Sequence, residues 1–271
     1  MPGLATQIAH YSVVIAIGDV AIRLNTIDAD FLEILHHRYS GFVSPAAHAE
    51  FEFDVDLLPP PFTDSQVDLS VTQRAGRWVL DRGDFRAEWD PAAGRGSIRQ
   101  SANPYSIDAV LRIVHTLVLA KQGGFLLHSA SAIRNGKAFL FAGVSGAGKT
   151  TISRLAPPDA TLLTDEISYV RKRDDGYVAF GTPFTGELAK LGENRSAPVR
   201  ALYLLAQGPE NRIEPVNAAE AGRQLLANML FFAEDQEIVH RAFNAACNFV
   251  DRVPVFRLTF VPDARVWEMI G

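Results

Sequence analysis

At 271 residues the chain exceeds what one hydrophobic core usually organises, so about two domains are expected. Hydrophobic residues make up 48% and charged residues 21%, which excludes disordered and collagen-like classes, and a formal net charge of −5 excludes a global basic field drawing the chain to nucleic acid or anionic lipid. Cys247 is the single cysteine, which excludes an intrachain disulfide or a multi-cysteine metal centre and fits a reducing compartment, the cytoplasm.

No window reaches the roughly 18 apolar residues of a membrane span, and the first ten residues carry no Lys or Arg ahead of an apolar run, so neither a membrane anchor nor a secretory signal is expected. Residues 1–103 read as a β-rich domain. Runs at 11–17 and 21–24 flank Gly18-Asp19 as a hairpin. Asp28 reads as the N-cap of a helix carrying Phe31, Ile34, Leu35 and Tyr39 on one face and ending near Gly41. Alternation then resumes in Phe51, Phe53 and Val55, in Val67, Leu69 and Val71, in Trp78 and Leu80, and in Phe85 and Trp89. Turn pairs at Ala75-Gly76 and Arg82-Gly83 punctuate these runs, which predicts an antiparallel sheet with Pro59-Pro60-Pro61 as a stiff connector inside it.

A second domain, 104–271, starts with a helix that places Ile107, Val110, Leu111, Val114, Leu117 and Val118 at helical spacing and stops at Gly123-Gly124. Strands at 125–133 and 137–142 follow, joined through Asn135-Gly136, a strong two-residue hairpin signal. Further strands are expected at 160–163, 167–171, 177–180, 199–204 and 255–260, and helices at 218–232, 237–250 and 263–269, with Phe231 and Phe232 in the core. This alternation predicts an α/β second domain and an α+β chain overall.

Between the second strand of the hairpin and a helix-compatible stretch stands Gly143-Val144-Ser145-Gly146-Ala147-Gly148-Lys149-Thr150, followed by Thr151. It fits G-x-x-x-x-G-K-[ST] at every fixed position. The glycines let main-chain N–H groups converge on a polyphosphate, a helix start adds positive potential, Lys149 reaches the β- and γ-phosphates, and Thr150 offers a hydroxyl to Mg²⁺. The run at 160–163 ends in Thr164-Asp165-Glu166, acids where a nucleotide-binding sheet holds its magnesium carboxylate and, in kinases, its base. If Asn135-Gly136 is a two-residue turn, Arg134 opposes Lys137, Ala130 opposes Phe141, and His128 comes opposite Gly143 at the mouth of the loop, placed to orient a catalytic carboxylate.

Leu127-His128-Ser129-Ala130, the short hairpin, the loop and Leu162-Leu163-Thr164-Asp165-Glu166, in that order, resemble the HPr kinase/phosphorylase family, related to phosphoenolpyruvate carboxykinase. Val253-Pro254-Val255-Phe256-Arg257-Leu258 with Trp267 is similar to the ending of smaller HPr-kinase-like proteins of bacterial peptide-biosynthesis clusters. The resemblance implies an ATP- and Mg²⁺-dependent serine kinase of P-loop type: His128 as helper, Asp165 as base, Lys149 as phosphate ligand, Thr150 as metal ligand. Glu166 stands where the family has a second aspartate, and which of Asp165 and Glu166 is base and which holds metal stays open. The resemblance also implies a tendency to form homo-oligomers. Gly181-Thr182-Pro183-Phe184-Thr185-Gly186-Glu187-Leu188 replaces the family signature Glu-Val-Arg-Gly-Leu-Gly, so the likeness stops short of HPr itself as acceptor. Basic residues in 190–200, namely Lys190, Arg195 and Arg200, are candidates to steady a transferring phosphoryl group or merely to face solvent. Arg223 and Arg241 read as surface groups. Three activities share this site: a kinase for a peptide or small protein, a kinase for a small molecule, and a nucleotide-gated binding module. The N-terminal domain is the candidate for recruiting the acceptor.

Overall fold

The computed structural model describes residues 10–46, 48–59, 68–188 and 191–271. The chain is mixed α/β, with two sheets and few helices, and divides into the compact units Met1–Val110 and Leu111–Gly271. No helix among the described residues is long and apolar enough to cross a membrane.

In the first unit β1 (Tyr11–Ile17) and β2 (Val20–Thr26) form the expected hairpin, turned by Gly18 and Asp19 at φ 61° and 65°. Asp28 caps α1 (Ala29–Arg38), its carboxylate accepting the Phe31 N–H at 2.8 Å. Phe31, Leu35 and Tyr39 are buried, but Ile34 is exposed, so the inward face is narrower than the spacing predicts. Then come β3 (Phe51–Leu57), β4 (Ser70–Arg74), β5 (Arg77–Arg82), β6 (Phe85–Asp90) and β7 (Arg95–Gln100). The sheet order is β1-β2-β3-β7-β6-β5-β4. It is not wholly antiparallel: β3 runs parallel to both β2 and β7. A helix carries the chain across between β2 and β3, which is the connection a parallel pair needs. Trp78 opposes Trp89 across β5 and β6, and both are buried with Phe31, Phe53 and Phe85, each such side chain contributing about 1.5–3 kcal/mol. Val67, Pro60 and Pro61 lie outside the described residues.

The division between units falls within α2 (Pro104–Lys121). Its N-terminal part is tied into the first unit, where Asp108 accepts the Tyr39 hydroxyl at 2.6 Å and pairs with Arg38, and Ser106 donates to Asp84 at 2.8 Å.

The second unit continues with β8 (Phe125–Arg134), β9 (Lys137–Ala142), α3 (Lys149–Arg154), β10 (Thr161–Thr164), β11 (Ile167–Arg173), β12 (Gly176–Phe180), β13 (Ser196–Gln207), β14 (Arg212–Pro215), α4 (Ala218–Asn228), α5 (Gln236–Val250) and β15 (Val255–Phe260). The eight-stranded sheet runs β10-β8-β11-β12-β13-β15-β14, with β9 pairing both β8 and β13. β9, β13 and β15 are mutually parallel neighbours through β13, and both faces of this centre are covered. Ala138, Leu140 and Ala142 face the cluster of Leu225, Ala246 and Phe249, while Phe139 and Phe141 face that of Ile152, Val266 and Trp267. This two-sided burial explains why β9 reads as an unbroken apolar run rather than an alternating one.

Three expectations change here. α4 stops at Asn228, so Phe231 and Phe232 lie beyond the helix and Phe231 is 39% exposed rather than core. Residues Ala264–Met269 form a 3₁₀ turn rather than an α-helix, started by the Asp263 carboxylate accepting the Arg265 N–H at 2.9 Å. β14, short and half exposed, was not expected at all.

Candidate active site

The histidine is placed by register. Asn135 and Gly136 take φ 50° and 71°, the left-handed pair of a two-residue hairpin, and β8 meets β9 with Arg134 opposite Lys137, Ala130 opposite Phe141 and Ser129 opposite Ala142. His128 is thus brought level with Gly143, the first residue of the loop. On its other side β8 pairs with two successive strands, its Ser131–Ile133 portion with β10 and its Phe125–His128 portion with β11. The chain from β10 to β11 therefore runs along β8 in one direction and breaks between them at Asp165-Glu166.

That break separates the two acids. The register slips at Leu163, the chain bulges, and the Thr164 hydroxyl oxygen accepts the N–H groups of Glu166 at 3.1 Å and Ile167 at 3.2 Å. The Ser129 N–H donates to the Glu166 carbonyl at 3.1 Å. Asp165 turns inward and is 2% exposed; its two carboxylate oxygens accept the N–H groups of Gly186 at 3.0 Å and Leu188 at 2.9 Å. Glu166 turns the other way, and its Oε1 stands 3.4 Å from Nε2 of His128. Glu166, not Asp165, lines the cavity beside the phosphate loop, because both oxygens of Asp165 are engaged by main chain.

The cavity, about 430 Å³, is walled by His128, Glu166, Lys149, Thr150 and Glu187, with the loop backbone from Ser145 forming one side. Gly146 adopts φ 79° with nothing within 4 Å of a would-be Cβ, and Gly148 adopts φ 111° at the start of α3. A methyl on Gly143 would come 2.7 Å from the Ala147 Cβ, so this glycine lets the loop close on itself. Lys149 is buried, its ammonium donating to the carbonyls of Gly143 at 2.9 Å and Val144 at 3.4 Å, while Val144 itself stands at the exposed tip. Thr151 lines the same cavity one residue past Thr150.

The segment after β12 closes the far side. Its ends are pinned to β10: Thr182 N–H donates to the Leu163 carbonyl at 3.2 Å, Glu193 N–H to that of Leu162 at 3.0 Å, and Gly192 approaches Leu163 so closely that a Cβ would meet its oxygen at 1.7 Å. Gly186 then lies against both acids, and Glu187 reaches Thr150, whose hydroxyl donates to Glu187 Oε2 at 3.2 Å. Arg112, on α2, stacks over the Phe184 ring at 4.9 Å.

The electrostatics follow from these neighbours. The hydrogen bond with His128 holds the Glu166 carboxyl below the usual carboxylate range, against its partial burial, and the charges of His128, Arg112 and Lys149 act in the same direction. Burial lowers the Lys149 ammonium from its usual value, and Glu166 and Glu187 oppose that shift. The Thr150 hydroxyl and the Glu166 and Glu187 carboxylates are the hard oxygen donors that suit Mg²⁺, which takes one or two carboxylates and leaves its other positions to phosphate and water. Among the described residues no group of three or more His, Cys, Asp or Glu side chains forms a ready-made metal cage.

Glu187, Gly186, Gln207 and Arg112 were not singled out from sequence. Glu187 stands in a segment visibly different from the resembled signature, but its partner Thr150 lies far from it along the chain, and Gln207, whose amide donates to the Gly146 carbonyl at 2.7 Å, lies beyond the predicted end of its strand. Conversely, Arg195 donates to Thr161 at 3.0 Å and Arg200 lies on β13, so neither stands at the cavity; Lys190 is outside the described residues. Arg241 pairs with Glu237 one helical turn away, and Arg223 is exposed.

No curated protein matches the chain significantly. Among solved structures, the HPr(Ser) kinase/phosphatase from Coxiella burnetii is similar at 11% identity, covering 54% of this chain and 85% of that one, with a TM-score of 0.30. Residues 99–271 match the family described as SynChlorMet cassette protein ScmC, and as that match takes in well over half of the sequence, the chain belongs to this family.

Proposed function

We propose that the chain is an ATP- and Mg²⁺-dependent phosphotransferase that phosphorylates a serine-type hydroxyl, on a peptide rather than on a small molecule. The observation that carries this reading is the Glu166–His128 pair, 3.4 Å apart, in one cavity with Lys149 and Thr150 of the phosphate loop. A module that only binds nucleotide has no use for a carboxylate–imidazole pair beside the phosphates, whereas a kinase needs a group to accept the hydroxyl proton.

Glu166 is assigned as the base, because its carboxylate is ionised and free of main-chain bonds, and His128 as the group that orients it. Lys149 and the loop N–H groups neutralise charge on the phosphates, and Thr150 with Glu187 would hold Mg²⁺, which when bound draws charge from the phosphate oxygens. Catalysis is then mainly positioning and charge compensation. His128 and Glu166 side chains are 39% and 34% exposed, so an acceptor reaches them from solvent, which suits a residue carried on a peptide.

The description of the family as a cassette protein supports looking for the acceptor among the products of neighbouring genes. Incubation with Mg²⁺, γ-labelled ATP and the peptides encoded beside the gene is expected to label a peptide, and Lys149→Ala to abolish labelling while leaving the protein folded. Transfer by Lys149→Ala at the parent rate would overturn the site assignment.

A further inference from the structure

A second cavity of about 260 Å³ lies behind the phosphate loop, lined by Ala147, Gly148, Thr151, Gln207, Phe260 and Pro262 among others. Gly148 and Thr151 line both this cavity and the one holding Lys149, so the two lie on adjoining sides of the same turn of the loop. The walls differ in chemistry. The first is charged; the second consists of an aromatic ring, a proline, glycines and short side chains, with one amide.

The ring is held in place by the loop itself. Phe260, at the end of β15, is buried, and a Cβ on Gly148 would come 2.7 Å from its Cζ, so the ring reaches the loop only because that position has no side chain. Gln207, at the end of β13, commits its Nε2 to the Gly146 carbonyl at 2.7 Å, which leaves its Oε1 as the acceptor of the same amide. A largely apolar recess bordered by an aromatic ring, with one amide and one hydroxyl in its wall, is suited to a flat heteroaromatic ring.

We infer that this recess seats the aromatic base of the nucleotide, with Phe260 and Pro262 as its apolar walls and Gln207 linking the base subsite to the phosphate loop. The inference rests on the nucleotide reading of the loop given above and adds where affinity for a nucleoside, as opposed to bare polyphosphate, comes from. At about 260 Å³ the recess is smaller than the roughly 300–1,000 Å³ of a complete ligand site, as a subsite for one ring system should be.

The test compares two probes by calorimetry in the presence of Mg²⁺: ATP, and inorganic tripolyphosphate, which has no base. The intact chain is expected to bind ATP at least tenfold more tightly. Phe260→Leu, which keeps an apolar side chain but removes the ring, is expected to weaken ATP about tenfold and leave tripolyphosphate within twofold, since the aromatic border of the recess is lost and the phosphate contacts are not. Pro262→Ala alters only an exposed wall and is expected to shift ATP affinity in the same direction, which keeps the test decisive if the core substitution fails to fold. If both variants retain the parent ratio of ATP to tripolyphosphate affinity, the base sits elsewhere and the phosphate-loop reading survives. If the intact chain binds neither probe, the nucleotide reading falls and the inference with it.

Discussion

Asp165 accepts the Gly186 N–H at 3.0 Å with one carboxylate oxygen and holds the next turn of the same segment with the other. The proposed function divides two adjacent acids between architecture and chemistry, and substitution should separate them. Asp165→Asn places an NH₂ against a main-chain donor and is expected to lower stability by about 1–3 kcal/mol in urea unfolding. Glu166→Gln is expected to leave the unfolding midpoint nearly unchanged and to slow single-turnover transfer by about 10²–10⁴-fold. Were the two effects reversed, Asp165 would be the base.

Gly186 is the contact between the acids and the segment above them. A methyl there would approach Glu166 Oε2 to 2.8 Å and Asp165 Oδ2 to 3.0 Å. Gly186→Ala is therefore expected to displace the Glu166 carboxylate and slow transfer by about 10²-fold, because the reacting geometry tolerates little error. Binding of ATP, measured by calorimetry, should be preserved, since the loop makes no use of this residue. Loss of binding equal to the loss of transfer would show that the segment acts on nucleotide instead.

Much of this arrangement was legible in sequence. The glycines and lysine of the loop advertise themselves because phosphate binding leaves so few alternatives, and Asn135-Gly136 fixes a register from which the place of His128 can be counted. What could not be read depends on contacts between segments distant along the chain. The placements of Asp165 and Glu166 are decided by a bulge at Leu163 and by N–H groups more than twenty residues later, and Glu187 reaches the cavity only because Gly192 and Thr182 hold its segment against β10. In the first unit, alternation located β1, β2, β3, β5 and β6, reached only the start of β4, missed β7, and said nothing about direction, so the parallel partners of β3 were missed.

His115, on α2, is buried with neither ring nitrogen bonded among the described residues, its ring lying edge-on to Tyr169 at 5.4 Å. Burial pushes its pKa down from 6.5 to about 3. The unfolded chain takes up a proton below about pH 6.5 and the folded chain does not until far lower, so stability falls as the pH drops through this window. Between pH 6.5 and 5 this single group should account for a loss of about 2 kcal/mol. His115→Phe removes the titration, and urea unfolding at the two pH values should show a flatter dependence than the parent; parallel curves would mean that the ring finds a proton partner in the folded state.

Trp267 joins the 3₁₀ turn to the helix after the phosphate loop, its indole N–H donating to the Ile152 carbonyl at 3.0 Å and its ring packing edge-on to Phe141. Trp267→Phe keeps an aromatic ring but leaves that carbonyl buried and unpaired, an effect of about 1–3 kcal/mol. Because the freed carbonyl belongs to α3, hydrogen exchange should accelerate in Lys149–Arg154 more than in β11 or β12. Uniform acceleration would place the tryptophan's contribution in the core as a whole.

The hairpin between β8 and β9 sets the distance between the imidazole and the phosphate loop, since β8 is anchored on its other edge by β10 and β11. One residue added at Asn135-Gly136 would leave β8 where it is and advance β9 by a step, exchanging its Phe139 and Phe141 face for the Leu140 face and carrying the whole loop out of step with His128. A solvent-facing turn thus works as a ruler. Its chemical identity can vary wherever the backbone shape is kept, while its length cannot, so an insertion scan should find one of its most damaging positions where solvent contact alone would forecast indifference.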